Sequence, residues 1–153
     1  MRIKTGIDII EVSRVQEAIE KNGEMFLNKV FSKSEIEFCE STNKMKYQHY
    51  AARFAAKEAV YKAISDIIAD IKEDIWKNII IKNGESGKPF VEFNGTLDFL
   101  NIGNNTNELI NNVVDDNNLK NSNTRELKIE SMDLSISHIK DYAIANFVML
   151  INE

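Results

Sequence analysis

The sequence is poor in the residues that cross-link, stiffen or interrupt a chain. Its 153 residues include one cysteine, one proline and six glycines. The lone Cys39 has no partner for an internal disulfide, so nothing requires an oxidising compartment and we expect a cytoplasmic protein. So little proline and glycine excludes a collagen-like fibre or a proline-rich linker protein.

Long apolar runs are absent as well. The most apolar late stretch, residues 143–151, has nine residues and contains Asn146, whereas a membrane-spanning helix needs about 20 apolar residues. Charged side chains near the N-terminus interrupt the apolar core that an export signal would need. We therefore expect neither a membrane segment nor a signal sequence.

The sequence also lacks an excess of positive charge. The net charge of −5 at pH 7 argues against a general nucleic-acid-binding protein. The charge is uneven, because residues 1–62 carry a balance of +2 and residues 63–153 a balance of −7. We expect an anionic partner to meet the first part of the chain.

What the sequence does contain is a globular composition, with 43% hydrophobic and 28% charged residues. Its length suits a single domain, residues 1–153. Between about residues 94 and 130 lies an asparagine-rich insertion, with eleven asparagines in residues 94–123. We expect a short helix there, followed by a mobile polar loop.

The first segment alternates in hydrophobicity. Residues 3–10 predict a strand whose odd-numbered residues, mostly isoleucine, face the core, while Asp8 lies on the less apolar face. Gly6 beside it leaves room for a ligand. A helix should follow, with Ser13 as its N-cap and Gly23 at its end.

Two more helices are predicted before the middle of the chain. A short one opens at Ser32 or Ser34. A long one runs over about residues 46–71, where alanine recurs at positions 51, 52, 55, 56, 59 and 63 and neither glycine nor proline intervenes. The small side chains allow this helix to approach a sheet, or a bulky ligand, closely.

The remaining elements are mainly strands. Ile79–Ile81 and Lys88–Phe93 predict a hairpin, and two further strands follow at Met132–His138 and Tyr142–Leu150. One strand, then helices, then hairpin-connected strands indicate the α+β class: a mostly antiparallel sheet packed against a long alanine-rich helix.

Two acidic residues are candidates for binding a hard cation. Asp8 is on the first strand, and Glu58 is on the long helix one turn before Lys62. Glu58 and Lys62 also have the spacing of an ordinary surface ion pair, so local chemistry does not choose between the two roles. On the functional interpretation both carboxylates bind the metal, while Lys62, Arg53 and Lys57 face phosphates.

Two other segments suit a phosphate ligand. Gly87-Lys88-Pro89 combines close backbone approach with a point charge, and His138 ends a strand that also carries Ser135 and Ser137. Alternation separates the serines from the imidazole, which disfavours a Ser–His dyad but permits a polyanion pocket. His49 has no supporting neighbours in the sequence.

The absence of other motifs narrows the chemistry. One cysteine and two distant histidines do not make a zinc site, and neither the Gly-x-Gly-x-x-Gly pattern nor the Walker lysine loop occurs. An oxygen-ligated Mg²⁺ surrounded by basic residues remains, which suits phosphoryl chemistry.

In this order, the segments resemble holo-acyl-carrier-protein synthase, the small bacterial type of phosphopantetheinyl transferase. The matching residues are Gly6-Ile7-Asp8-Ile9, then Arg53-Phe54-Ala55-Ala56-Lys57-Glu58-Ala59 with Lys62, then Gly87-Lys88-Pro89, and finally Ser135-Ile136-Ser137-His138 followed by Tyr142-Ala143. They span nearly the whole chain apart from residues 94 to about 130.

The resemblance implies Mg²⁺-dependent transfer of the 4′-phosphopantetheine group of coenzyme A to a serine of apo-acyl carrier protein, as in fatty acid biosynthesis, with release of adenosine 3′,5′-bisphosphate. It implies that Asp8 and Glu58 bind Mg²⁺ and that Lys62 completes the catalytic set. The serine proton goes to a metal-bound water or to one of the carboxylates. The residues implied to bind coenzyme A are Arg53, Lys57, Gly87, Lys88, Pro89 and His138.

The resemblance further implies a homotrimer with its site between subunits. Because acyl carrier protein is acidic, we expect it to dock on Arg14 and Lys21 of the first helix. The chain departs from the family by its insertion and by having no glycine after Ala63, where members commonly turn on a glycine-rich stretch. The long helix is therefore expected to continue there.

Two other functions stay open. A Mg²⁺-dependent hydrolase of nucleotide diphosphates would use the same carboxylates with water as nucleophile, and would hydrolyse coenzyme A without carrier protein. A non-catalytic coenzyme A-binding protein would keep Glu58 and Lys62 as a structural pair, and its binding would not depend on Mg²⁺.

Overall fold

The computed structural model describes residues 1–71, 74–102 and 127–152. Within these ranges the chain forms, in order, β1 (Arg2–Glu11), α1 (Val12–Val30), α2 (Lys33–Glu40), α3 (Lys46–Ile64), β2 (Ile79–Asn83), β3 (Pro89–Phe93), β4 (Lys128–His138) and β5 (Tyr142–Asn152). The predicted α+β class is confirmed.

The strands form two antiparallel sheets. The larger has the order β1-β5-β4, and β2 and β3 form a separate hairpin. Helix α3 packs against β1 and β5, so its alanines lie against the larger sheet. The predicted hairpin and the two late strands are confirmed, although β4 begins at Lys128 and both late strands are longer than expected.

The face of β1 that enters the core is the opposite of the one predicted. Its even-numbered residues from 4 to 10 are buried or half-buried, while Ile3, Ile7 and Ile9 are 68%, 56% and 63% exposed. The reason is Gly6, where an added Cβ would lie 1.9 Å from the carbonyl oxygen of Ala59. The space that this glycine leaves is filled by the backbone of α3 and not by a ligand.

Helix α1 starts differently from the prediction. It begins at Val12, and Ser13 does not cap it. The N–H of Val12 instead donates to the carbonyl of Asp141 in the β4–β5 turn, at 2.8 Å. Gly23 has a φ of 53° and separates two helical segments, the second of which extends to Val30.

The ends of the other helices test two predictions. Ser32 caps α2 through a capping box with Glu35, as expected. Helix α3 ends at Ile64, earlier than predicted, and the chain turns after Ser65 although it has no glycine there. The turn buries Ile68 in the core to 5% exposure, so tertiary packing overrides the local helix propensity.

A 3₁₀ helix, Gly95–Leu100, stands where the insertion was expected to begin with a short helix. The polar loop predicted after it lies outside the described residues. Among the helices in the described ranges, none has the length and hydropathy needed to cross a bilayer.

Candidate active site

Strand β1 and helix α3 bring the three predicted catalytic residues together. Lys62 Nζ donates to Asp8 Oδ1 at 2.8 Å and to the carbonyl of Ile7 at 3.0 Å. Glu58, one turn earlier on α3, is close enough to Asp8 for the two carboxylates to repel each other. The tight contact of α3 with Gly6, two residues before Asp8, sets the separation of the strand and the helix here.

The electrostatics of this cluster suit a divalent cation. Burial and then the negative charge of Asp8 raise the pKa of Glu58, and the ammonium group of Lys62 offsets part of this effect. Among the described ranges no group of three or more His, Cys, Asp and Glu side chains has metal-binding geometry. Mg²⁺ is commonly bound by only one or two protein carboxylates, because substrate phosphates and waters supply its other oxygen ligands.

A cleft of ≈ 360 Å³ opens beside Glu58. Tyr61 on α3 lines it together with the segment of Asp74, Ile75 and Trp76. The Trp76 ring lies parallel to that of Phe54 at a centroid distance of 6.3 Å and lies 5.5 Å from the ring of Tyr61. The aromatic wall therefore follows the helix face that carries the carboxylate.

Lys57 does not meet the expectation of a phosphate contact. Its side chain is fully buried and forms an ion pair with Glu35 at 2.8 Å. Lys57 Nζ also donates to the carbonyls of Trp76 and Ile79, at 2.8 and 2.6 Å. An ammonium group has three hydrogens and all three have acceptors, so none is left for a ligand. Burial lowers the pKa of Lys57, and Glu35 opposes this shift.

Arg53 lies next to the Gly-Lys-Pro loop. Its Nη2 donates to Asn83 Oδ1 at 3.0 Å, and Asn83 Nδ2 donates to the carbonyl of Gly87 at 3.2 Å. The guanidinium group covers the Phe38 ring at 3.8 Å from its centroid. Its Nε is buried and has no hydrogen-bond partner among the described residues, so one donor remains unused.

His138 lies next to His49, which has no supporting neighbours in the sequence. The rings of His138 and His49 meet edge to face, with centroids 6.0 Å apart. Burial and the charges of Arg53 and His138 lower the pKa of His49. The helical spacing of His49 and Arg53, four residues apart, was the available signal, because it places both on one face of α3.

The Gly-Lys-Pro loop also contacts β4. Lys88 Nζ pairs with Asp133 Oδ1 at 2.8 Å, and this hydrogen bond lowers the pKa of Asp133. Both side chains are largely exposed, and they border a cleft of ≈ 350 Å³ that includes Pro89. Gly87 has a φ of 82°, a left-handed conformation that favours glycine.

The predicted partner-binding residues lie on the surface. Arg14 and Lys21 are both exposed on α1. Because they are seven residues apart, about two helical turns, they share one face.

Comparison with known proteins identifies the family. A family model for the 4′-phosphopantetheinyl transferase superfamily matches residues 4–145. The chain belongs to the 4′-phosphopantetheinyl transferase superfamily. The resemblance of the sequence motifs to this family is thereby confirmed.

Two relatives match almost the whole of this phosphopantetheinyl transferase. The holo-[acyl-carrier-protein] synthase of Halothermothrix orenii is 34% identical over 140 residues, which cover 92% of this chain and 90% of the relative. The protein of the same name from Chloroherpeton thalassium is 34% identical over 148 residues, covering 94% and 93%.

Solved structures of the superfamily share its fold. An ACPS–CoA complex from Chronobacterium ammoniagenes has a TM-score of 0.68 at 23% identity and covers both chains completely. The holo-[acyl-carrier-protein] synthase of Helicobacter pylori in complex with coenzyme A has a TM-score of 0.63 at 25% identity and covers 95% of this chain and 99% of that one.

Proposed function

We propose that this chain is a Mg²⁺-dependent holo-[acyl-carrier-protein] synthase. It transfers the 4′-phosphopantetheine group of coenzyme A to a serine of apo-acyl carrier protein and releases adenosine 3′,5′-bisphosphate. The observation that carries the proposal is that Lys62 pairs with Asp8 at 2.8 Å one turn along α3 from Glu58, whose side chain lines an open cleft. The shared name of the relatives supports it.

Asp8 and Glu58 hold the metal in this proposal. Bound Mg²⁺ supplies Lewis-acid stabilisation of the charge that spreads over the phosphate oxygens during transfer. Lys62 adds a positive charge from the protein itself. Its ammonium group is oriented by Asp8 and by the carbonyl of Ile7, and its side chain is 49% exposed, so it can reach a ligand.

We assign the phosphates of coenzyme A to the basic residues near the Gly-Lys-Pro loop. Arg53 contributes the positive charge of its guanidinium group beside the loop, Lys88 offers a solvent-accessible ammonium group, and His138 offers its imidazole. Gly87 and Pro89 flank Lys88 and shape the loop that carries it. Lys57 is not in this set, because its three donors are already used inside the protein.

The test is intact-mass analysis of apo-acyl carrier protein incubated with the protein, coenzyme A and Mg²⁺. We expect the mass gain of one phosphopantetheine group. Asp8→Asn and Glu58→Gln, which keep the side-chain shapes, should abolish it while the circular dichroism spectrum is unchanged. The control is Glu92→Gln, which removes a half-exposed carboxylate paired with Lys82 on the hairpin. Near-normal transfer by either active-site variant at saturating Mg²⁺ would contradict the metal assignment.

The same incubation separates the alternatives. Hydrolysis of coenzyme A without carrier protein would favour a nucleotide-diphosphate hydrolase. Binding that is independent of Mg²⁺ and produces no mass gain would favour a non-catalytic coenzyme A-binding protein. Lys62→Ala should slow the single-turnover rate more than it weakens coenzyme binding, because its charge is needed where the phosphate oxygens gain charge.

We also propose a homotrimer, supported by the outer face of the larger sheet. Ile3, Ile7 and Ile9 on β1, with Ile144 and Val148 on β5, are exposed there and form an aliphatic surface. Exposed apolar patches of this kind mark protein interfaces. The inverted orientation of β1 is then explained, because the isoleucines predicted to face the core face a neighbouring subunit.

Sedimentation equilibrium tests the trimer. The wild-type protein should have about three times the chain mass of 17.5 kDa. Ile3→Glu with Val148→Glu should dissociate it, because both charges would be buried in the interface. Met25→Glu is the control, since Met25 is 74% exposed on α1. A wild-type mass of one chain would refute the trimer.

Docking of the acidic carrier protein is assigned to α1. Arg14→Glu and Lys21→Glu should raise the KM for acyl carrier protein and leave the KM for coenzyme A unchanged, because complementary charge acts mainly on association. Lys33→Glu on α2, whose side chain is 92% exposed, is the matched control. An unchanged KM for the carrier protein in both α1 variants would place the docking surface elsewhere. The cytoplasmic location stays a prediction.

A further inference from the structure

The buried pair of Glu35 and Lys57 is the one ion pair in the described ranges whose two side chains are both fully buried. Its Nζ–Oε2 distance is 2.8 Å. Glu35 Oε2 also accepts from the N–H of Ser32 at 2.8 Å, and Oε1 accepts from the N–H of Ile81 at 2.9 Å. The carboxylate therefore joins the start of α2 to β2, and the ammonium group joins both to α3.

The other two partners of Lys57 are main-chain carbonyls. Trp76 lies in the 3₁₀ turn Trp76–Asn78, and Ile79 opens β2. Lys57 Nζ holds both carbonyl oxygens, at 2.8 and 2.6 Å. This lysine thus connects the segment of Trp76, which lines the cleft, to helix α3, whose Glu58 also lines it.

The position of Lys57 on α3 links this contact to the catalytic face. Glu58 is the next residue and projects about 100° away from Lys57 around the helix, into the cleft. Phe54 and Tyr61 lie one turn before and after Glu58, and the Trp76 ring contacts both. The aromatic contacts hold the Trp76 ring, whereas Lys57 holds its backbone.

Stability alone does not account for a charged pair here. Replacement of a buried ion pair by apolar side chains of similar volume is often neutral or stabilising, whereas removal of one partner is costly. An apolar side chain at position 57 would fill the same volume, but it would give no donor to the carbonyls of Trp76 and Ile79. Beyond its contribution to packing, the Glu35–Lys57 pair fixes the position of the Trp76 segment that lines the cleft.

We propose that Lys57, held by Glu35, is a positioning residue of this enzyme that sets the separation between Glu58 and the Trp76 wall of the cleft. Lys57 does not touch the substrate. The proposal rests on the proposed function, because it takes the cleft beside Glu58 as the part of the coenzyme A site that adjoins the metal-binding carboxylate. A misplacement of about 1 Å costs roughly 100-fold in rate. Loss of the hydrogen bonds from Lys57 to the Trp76 and Ile79 carbonyls should therefore lower the rate measurably, even in a well-folded variant.

The test uses the charge-neutral double variant Glu35→Gln/Lys57→Met. Each single substitution leaves one buried charge without its partner and should lower the urea unfolding midpoint. The double variant buries no unpaired charge and should recover the part of that loss that comes from the charge, while the carbonyls of Trp76 and Ile79 stay without their donor. Recovery of stability without recovery of function is the expected signature of positioning.

The chain's only tryptophan gives a readout that does not depend on activity. In the double variant we expect the emission of Trp76 to shift and its quenching by acrylamide to increase. We expect the dissociation constant for coenzyme A, measured by calorimetry, to rise about tenfold or more, and kcat to fall, because binding and the metal-binding carboxylate share this cleft. The double variant Lys82→Met/Glu92→Gln removes the half-exposed pair on the hairpin and should change none of these values.

The outcomes are distinct. If the wild-type protein transfers phosphopantetheine and the double variant keeps wild-type tryptophan quenching, coenzyme affinity and kcat within twofold, the pair is only structural and the proposal is wrong. If the wild-type protein does not transfer, the proposed function fails, while the quenching comparison still decides whether Lys57 places the wall. Should the double variant fail to fold, Lys57→Arg keeps the charge but changes the donor geometry. Wild-type quenching and coenzyme affinity in that variant would equally overturn the proposal.

Discussion

Substitution of Gly6 by alanine tests how the fold places the two carboxylates. A Cβ at this position would lie 1.9 Å from the carbonyl oxygen of Ala59 and 3.0 Å from the N–H nitrogen of Ala63. Both atoms belong to the backbone of α3, so no side chain can rotate away. Ordinary contact begins near 3.4 Å, and β1 and α3 must therefore separate locally by about 1.5 Å.

The expected loss has two parts. Overpacking of a core typically costs about 1–3 kcal/mol, which lowers the melting temperature of a chain of this size by roughly 2–12 °C. The same displacement moves Glu58, next to Ala59, away from Asp8, two residues after Gly6. Misplacement by about 1 Å costs roughly 100-fold in rate, so the transfer rate should fall even where the variant is fully folded.

The assay combines urea unfolding with single-turnover transfer, measured at least 15 °C below the variant's melting temperature. Gly84→Ala is the matched control, because its Cβ would meet the Lys88 carbonyl oxygen at 3.6 Å, which is ordinary contact. It should lie within about 0.5 kcal/mol of the wild-type stability. If Gly6→Ala unfolds with the wild-type free energy and keeps its rate, β1 and α3 are not in direct backbone contact at Gly6.

Two predictions concern the helical layer. Ser32→Ala removes the capping box of α2 and should lower the free energy of unfolding by about 0.5–2 kcal/mol in urea, whereas Ser34→Ala, on the exposed side, should change it by less than about 0.5 kcal/mol. Equal effects of the two serines would contradict the cap. Cys39 is fully buried, and burial raises its pKa to about 12, so at pH 8 the neutral thiol dominates. A thiol-specific disulfide reagent should modify it slowly in the native protein and rapidly in urea; fast native modification would disprove its burial.

Local sequence patterns predicted most of the elements and the composition of the site. Capping chemistry narrowed the start of α2 to Ser32 or Ser34, of which the structure uses Ser32, and turn residues located the β2–β3 hairpin. The order of the motifs that contain Asp8, Glu58 and Lys62 indicated the family. Such motifs can be recognised from residue types and their spacing alone. These features depend on neighbours in the chain, which a sequence displays directly.

Local sequence patterns gave wrong or incomplete predictions where the structure depends on residues that are distant in the sequence. Alternation in β1 cannot tell which face is buried, since an isoleucine face packs equally well against a helix or against another subunit. The end of α3 depends on burial of Ile68, and the fate of Lys57 depends on Glu35, 22 positions earlier. His49 gained its neighbour His138 from a strand 89 residues away.

The sequence by itself determined the chemistry available to this protein: two carboxylates, a lysine and a set of basic residues on predictable elements. Only the tertiary structure decided which of these groups are free to act. Burial and hydrogen bonding turned Lys57 inward and left Lys62 accessible, although both lie on one helix and carry the same charge. The physical reason is that the free energy of an ionic group depends on its surroundings, and those are assembled from parts of the chain that are remote in sequence.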